Sequence, residues 1–140
     1  MVRNLLFGMF ALISLTAFGN PSKLVKHEPK YLTVTVNPDG NVNIGRDTIY
    51  VDKLAAEIQQ RLWKSWLGTG KMYDGIKVVL NGEVLMGVRG SALDAIHDGQ
   101  HRALAELCIQ KYKKDYEQLS ASQQEKLQRN FPVLFQELHW

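Results

Sequence analysis

The sequence predicts an α+β domain in which a small mixed sheet, entered as strand-strand-helix-strand-helix, is covered by helices after an N-terminal hydrophobic segment. Three observations predict it. Apolar and polar residues alternate with period two over Tyr31 to Val36, an amphipathic helical pattern begins at Asp52, and the compact run Ile76 to Leu80 precedes a long stretch with apolar spacings of three and four. The chain has 140 residues, 45% hydrophobic and 22% charged, which fits one globular domain with its own core. Four parts follow from the pattern: residues 1–22 as a membrane anchor or signal peptide, 23–30 as a tether, 31–114 as the α+β domain, and 115–140 as a helical extension with an apolar tail.

The N-terminal part sets the compartment. Met1-Val2-Arg3-Asn4 is a short positive start, and Leu5 to Phe18 is an uncharged, mostly apolar run with the length of a signal-peptide core. It is shorter than the roughly 20 residues that span a bilayer comfortably, yet the uncharged stretch extends to Ser22 and Arg3 and Lys23 can sit at the two interfaces. Ala17-Phe18-Gly19 has the small-x-small form of a cleavage site. Retention in the inner membrane as a single pass, and cleavage with release to the periplasm, both remain open. On either reading Lys23 to Trp140 faces the envelope side. Lys23 to Lys30 is a polar tether in which Pro29 keeps its predecessor extended.

In the domain, Leu32, Val34 and Val36 alternate with Thr33, Thr35 and Asn37, the pattern of a strand with one wet face. Asn37-Pro38-Asp39-Gly40-Asn41 is a turn, with a fixed φ at proline, a self-bonding Asp and a permissive glycine. Val42, Ile44, Ile49 and Val51 serve a returning strand, and Gly45-Arg46-Asp47 inside it implies a bulge or a further tight turn. Leu54, Ile58, Leu62 and Trp66 recur every fourth residue on a helix, with Asp52 as the expected N-cap and Gly68 as the expected stop. Thr69 to Gly75 is a connection. It lacks the Gly-Lys-Ser/Thr sequence and preceding strand of a phosphate loop.

Ile76 to Leu80 is a strand. Asn81-Gly82 then suggests a hairpin with Glu83 to Val88 returning, against the alternative of a strand, a loop and a helix. Arg89-Gly90 is the expected end of either version, and Ser91-Ala92-Leu93-Asp94 the expected capping box of the next helix. That helix carries Leu93, Ile96, Ala103, Leu104, Leu107, Cys108 and Tyr112 as a core stripe to about Lys114, with Gly99 a mild weakness. Ser120 and Gln123 form another capping box, opening a polar helix. Phe131 to Trp140 is apolar for a terminus and is expected to dock on the core or on a partner.

Chemistry is sparsely signalled. The net charge of +3 comes from basic residues interleaved with acidic ones, with no long basic stripe, so nucleic acid is not an expected partner. Cys108 is the single cysteine, so no internal disulfide can form, and its helical context reads as a small buried hydrophobe. His97 and His101 have the i, i+4 spacing of a zinc pair. However, Asp98 stands where that motif has its Glu, Gly99 interrupts the helix, and no third ligand is evident. Two imidazoles on a half-wet face is the expectation, with no metal, no cofactor and no catalytic residue. Ser91 is accounted for by capping, so no nucleophile stands out and the chain reads as non-enzymatic. The expected partner-contact residues are Trp63, Tyr73, Phe131, Leu134 and Phe135.

The order of parts, a hydrophobic segment, a tether, YLTVTVNPDGNVNIGRDTIYVDKLAAEIQQRL, then IKVVL and a long helix, resembles the ExbD/TolR family. The likeness covers about Leu32 to Tyr112 and is carried by the progression from TVTVNPDGNV to VDKLAAEI. The resemblance implies an envelope-facing accessory subunit of a proton-driven energising or biopolymer transport system. It further implies a homodimer, a polytopic channel-like membrane partner, and a TonB-like protein or the cell wall as a further contact. Family members usually carry an Asp in the membrane helix, and Leu5 to Phe18 has none, so the proton carrier is not expected on this chain. The alternative is an exported soluble periplasmic binding domain, in contact with cell-wall polymer and without motor coupling.

Overall fold

A computed structural model of the chain describes residues 28–138. The hydrophobic segment and most of the tether lie outside the described residues. Among the described residues no helix is long and apolar enough to cross a membrane.

Strands β1 (Tyr31–Val36), β2 (Val42–Ile44) and β3 (Asp47–Ile49) form an antiparallel meander, and β4 (Gly75–Leu80) joins the other side of β1 in parallel, giving the order β3-β2-β1-β4. The sheet is mixed, as expected, but three strands precede the first helix instead of two. Gly45 is the reason. Its φ of +62° lets Gly45-Arg46 close a two-residue hairpin that pairs Ile44 with Asp47 and Val42 with Ile49.

Helix α1 (Val51–Thr69) supplies the crossover that two parallel strands require. Both of its expected ends move outward. Tyr50 is the N-cap and Asp52 falls in the first turn, where its carboxylate complements the helix dipole. At the other end Gly68 stays helical, the Thr69 hydroxyl bonds the Ser65 carbonyl at 2.7 Å, and Gly70 takes the left-handed conformation at φ +72°.

After β4 the expected hairpin does not form. The strand's partner is β1, and Asn81 bonds back to the first turn through its N–H to Val36 O (2.9 Å) and its side chain to Asn37 Oδ1 (2.9 Å). The alternative of strand, loop and helix holds. Helix α2 (Met86–Tyr112) begins well before Ser91, which is an exposed residue inside it. Arg89 and Gly90, expected as a boundary, are also helical. The Arg89 N–H bonds Leu85 O at 3.0 Å and its guanidinium Nε bonds Val84 O at 2.7 Å, anchoring the first turn over the buried Val84.

Leu32, Val34 and Val36 face Leu54, Ile58, Leu62, Ile96, Ala103 and Leu107 in one core, while Tyr31, Thr33, Lys77 and Val79 are exposed. Both long helices therefore cover one face of the sheet and leave the other to solvent. Gly99 is the close-approach point. A Cβ there would lie 2.7 Å from Ile58 Cβ and 2.8 Å from Ala55 O, so the glycine lets α2 meet α1 backbone to side chain. The expected capping box opens α3 (Ala121–Asn130), with Gln123 N–H donating to Ser120 Oγ and Ser120 N–H to Gln123 Oε1. The tail docks on its own chain: Phe131, Val133 and Leu134 are buried.

Candidate interaction edge

β4 is an edge strand, and its two ends are treated differently. The Ile76 N–H donates to Gln136 Oε1 at 2.7 Å, and Gln136 Nε2 donates to Ile76 O at 2.9 Å. One side-chain carboxamide thus plays the part of a neighbouring strand. Gly75 makes room for it, since a Cβ at that position would come within 3.1 Å of Gln136 Oε1. Gln136 is itself held by Gln100, which is fully buried on α2 and donates from Nε2 to Val133 O (2.7 Å) and Gln136 O (3.3 Å). Gln100 Oε1 is buried without a hydrogen-bond partner among the described residues.

Backbone groups alternate in direction along a strand, so those of Val78 and Leu80 point the same way as those of Ile76, away from β1. Among the described residues no strand or side chain pairs with them. Two N–H and two C=O groups therefore remain open beside the plugged position. Val79 between them projects from the uncovered face of the sheet and is 41% exposed.

The five residues expected to contact partners divide. Phe131 (6% exposed) and Leu134 (3%) are buried in the chain's own core, which removes them from any surface offered to another molecule. Trp63 is half-buried, with its ring 5.1 Å from Trp66, and Trp66 in turn meets Phe131 edge-on at 6.4 Å. Tyr73 is half-buried beneath Lys30 Nζ, which lies 4.7 Å from its ring centroid. Phe135 is half-buried against Tyr116 at 5.6 Å.

His97 and His101 are both exposed on one side of α2, with ring centroids 5.8 Å apart. No group of three or more metal-ligating side chains occurs among the described residues. Cys108 is fully buried, and burial, followed by the charges of Glu117 and Asp115, pushes its thiol above the ordinary range.

Sequence reasoning missed Gln100 and Gln136. Gln100 had a signal: it lies four residues after Ile96 and three before Ala103, a polar side chain on the apolar stripe itself. Gln136 had none, because its role depends on a strand sixty residues away. Comparison of the chain with protein-family models, with curated proteins and with solved structures finds no match in any of the three.

Proposed function

We propose that this chain is a non-enzymatic, envelope-facing docking subunit that acts by protein-protein contact, in the role the ExbD/TolR resemblance implies, and that its β4 edge is the contact element. The open backbone groups of Val78 and Leu80 carry the proposal. An unpaired edge is a template for another strand, and proteins that do not use such an edge usually blunt it. Here Gln136 caps the Ile76 end and Lys77 adds a charge, while the backbone groups of Val78 and Leu80 stay open.

The partner in the first instance is a second copy of the chain, with β4 antiparallel to its counterpart about a two-fold axis at Val79. That register sets Val78 opposite Leu80 in both directions and forms four hydrogen bonds. It also sets Lys77 opposite Asn81, avoiding two lysines face to face. Registers centred on Lys77 or Val78 need the Ile76 groups that Gln136 occupies. A register centred on Leu80 needs Gly82 extended, and its φ is +75°. Four bonds at about 0.5–1.5 kcal/mol each give at most about 6 kcal/mol, a weak association with a Kd of roughly tens of micromolar or above.

Light scattering over a concentration series tests this. The chain self-associates toward a dimer, and Val79→Glu, which sets like charges opposite each other from an exposed position, remains monomeric with the melting temperature that the native chain shows when diluted to monomer. A native chain that is strictly monomeric at high micromolar concentration overturns the proposal.

A further inference from the structure

A concavity lies between the middle of α2, the 3-10 turn at Tyr116–Gln118 and the C-terminal tail, with Phe135 and Glu137 on either side of the Gln136 that caps β4. Its volume is about 490 Å³, within the range of ligand pockets. The apolar part of its lining is Leu104, Leu134, Tyr116 and Phe135. The Tyr116 and Phe135 rings are tilted by 48° at 5.6 Å. Tyr116 is fixed at both ends, its hydroxyl accepting from Gln128 Nε2 and its carbonyl from Gln124 Nε2, each at 2.9 Å. The aromatic pair is therefore preorganised.

The charged part of the lining has one sign. Asp115, Glu117 and Glu137 are there, His97 and His101 stand on the α2 side, and among the described residues no Lys or Arg lines the cleft. Lys113 and Lys114 precede Asp115 without joining the lining, and Arg102 is paired with Asp98 at 2.9 Å. In a chain of net charge +3 this is a locally negative cleft with an aromatic wall. Carboxylates around a concavity focus the field within it, and aromatic faces attract cations. The influence of Glu117 and Asp115 on the buried Cys108 thiol is in accord with such a field.

We propose that this cleft binds a basic segment of a partner polypeptide, seating the aliphatic stem of one Lys or Arg against Tyr116 and Phe135 with its cationic head among Asp115, Glu117 and Glu137. The stem-and-head form of those side chains matches a site that is apolar on one side and anionic at the rim. The cleft and the β4 edge use different residues, so the two readings fail independently.

The test is calorimetric titration of the full 140-residue chain with a hexalysine peptide, a hexaglutamate peptide and spermidine. Hexalysine binds and hexaglutamate does not. Glu117→Lys weakens hexalysine binding about tenfold, since one exposed charge pair contributes about threefold and reversal acts twice. His101→Asp, which adds a carboxylate at an exposed rim position, tightens it about threefold, and Glu125→Lys on α3 leaves it unchanged. Three results overturn the proposal: no hexalysine binding, equal weakening by Glu117→Lys and Glu125→Lys, or spermidine bound as tightly as the peptide, which would make this a polyamine site.

Discussion

Gly99→Ala and Gly90→Ala are the same substitution in the same helix, and the packing of α2 on α1 predicts opposite signs for them. At Gly99 the added methyl would meet Ile58 Cβ at 2.7 Å, Ala55 O at 2.8 Å and Ile58 Cγ2 at 2.8 Å. Carbon atoms rest about 3.5–4.0 Å apart, so each approach is short by roughly 1 Å. A Cβ and a backbone carbonyl cannot rotate aside, and the helices must separate. Overpacking of this kind costs about 1–3 kcal/mol, against which alanine recovers up to about 1 kcal/mol of helix propensity. The net expectation is a loss of about 1–2 kcal/mol. At Gly90 nothing lies within 4 Å of the added carbon, so only the propensity acts and the variant gains about 0.5–1 kcal/mol. Urea denaturation with a common slope measures both, and the melting temperature moves by roughly 4–6 °C per kcal/mol in the corresponding direction. A Gly99→Ala variant as stable as the native chain, with Gly90→Ala stabilised, would refute the assigned helix contact.

Gln136→Ala removes two hydrogen bonds from the β4 edge and lowers stability by about 1–2 kcal/mol, with hydrogen exchange accelerated at Ile76 and unchanged at Lys77, which faces β1. Stability also falls as pH rises through the ordinary thiol range, because the buried Cys108 stays protonated while the unfolded chain loses its proton; Cys108→Ala flattens that limb of the pH profile. Zinc produces no stoichiometric rise in melting temperature relative to chelator, since among the described residues His97 and His101 belong to no group of three or more side chains placed to hold a metal; a large rise abolished by His97→Ala would contradict this.

Local signals in this sequence identified elements, and long-range pairing decided how they connect. The alternation of Leu32, Val34 and Val36, the α1 stripe and the Ser120 capping box all depend on neighbours a few residues away, and all are present. Asn81-Gly82 carried an equally strong local hairpin signal. It lost because β1 offers a six-residue parallel partner and Asn81 is engaged by Val36 and Asn37, contacts invisible at turn range. Met86 to Val88 read as part of a returning strand because of Asn81-Gly82, and Arg89-Gly90 as a boundary, yet the capture of the Val84 carbonyl by Arg89 and the burial of Val84 hold the added turns. Gly99 read as a weakness because glycine lowers helix propensity, although its value lies in the closeness of α1. Among the expected contact residues, Phe131 and Leu134 were read as partner contacts, and it is their own core that covers them. The open β4 edge itself was hidden, since unpaired backbone groups are a property of topology and have no residue signature.

The register proposed for the β4 edge is open to one direct measurement, disulfide cross-linking of Val79→Cys under mild oxidation, with Cys108 protected by its burial. Residues directly opposite in a non-hydrogen-bonded antiparallel pair bring their Cβ atoms within about 4.5–5.5 Å, close to the reach of a disulfide. The account predicts a covalent dimer forming readily at Val79→Cys and much more slowly at Thr33→Cys, which lies on the same exposed face but on the interior strand β1. Equal cross-linking at the two positions, or none at Val79→Cys while the chain is dimeric by light scattering, would contradict edge-to-edge docking through β4.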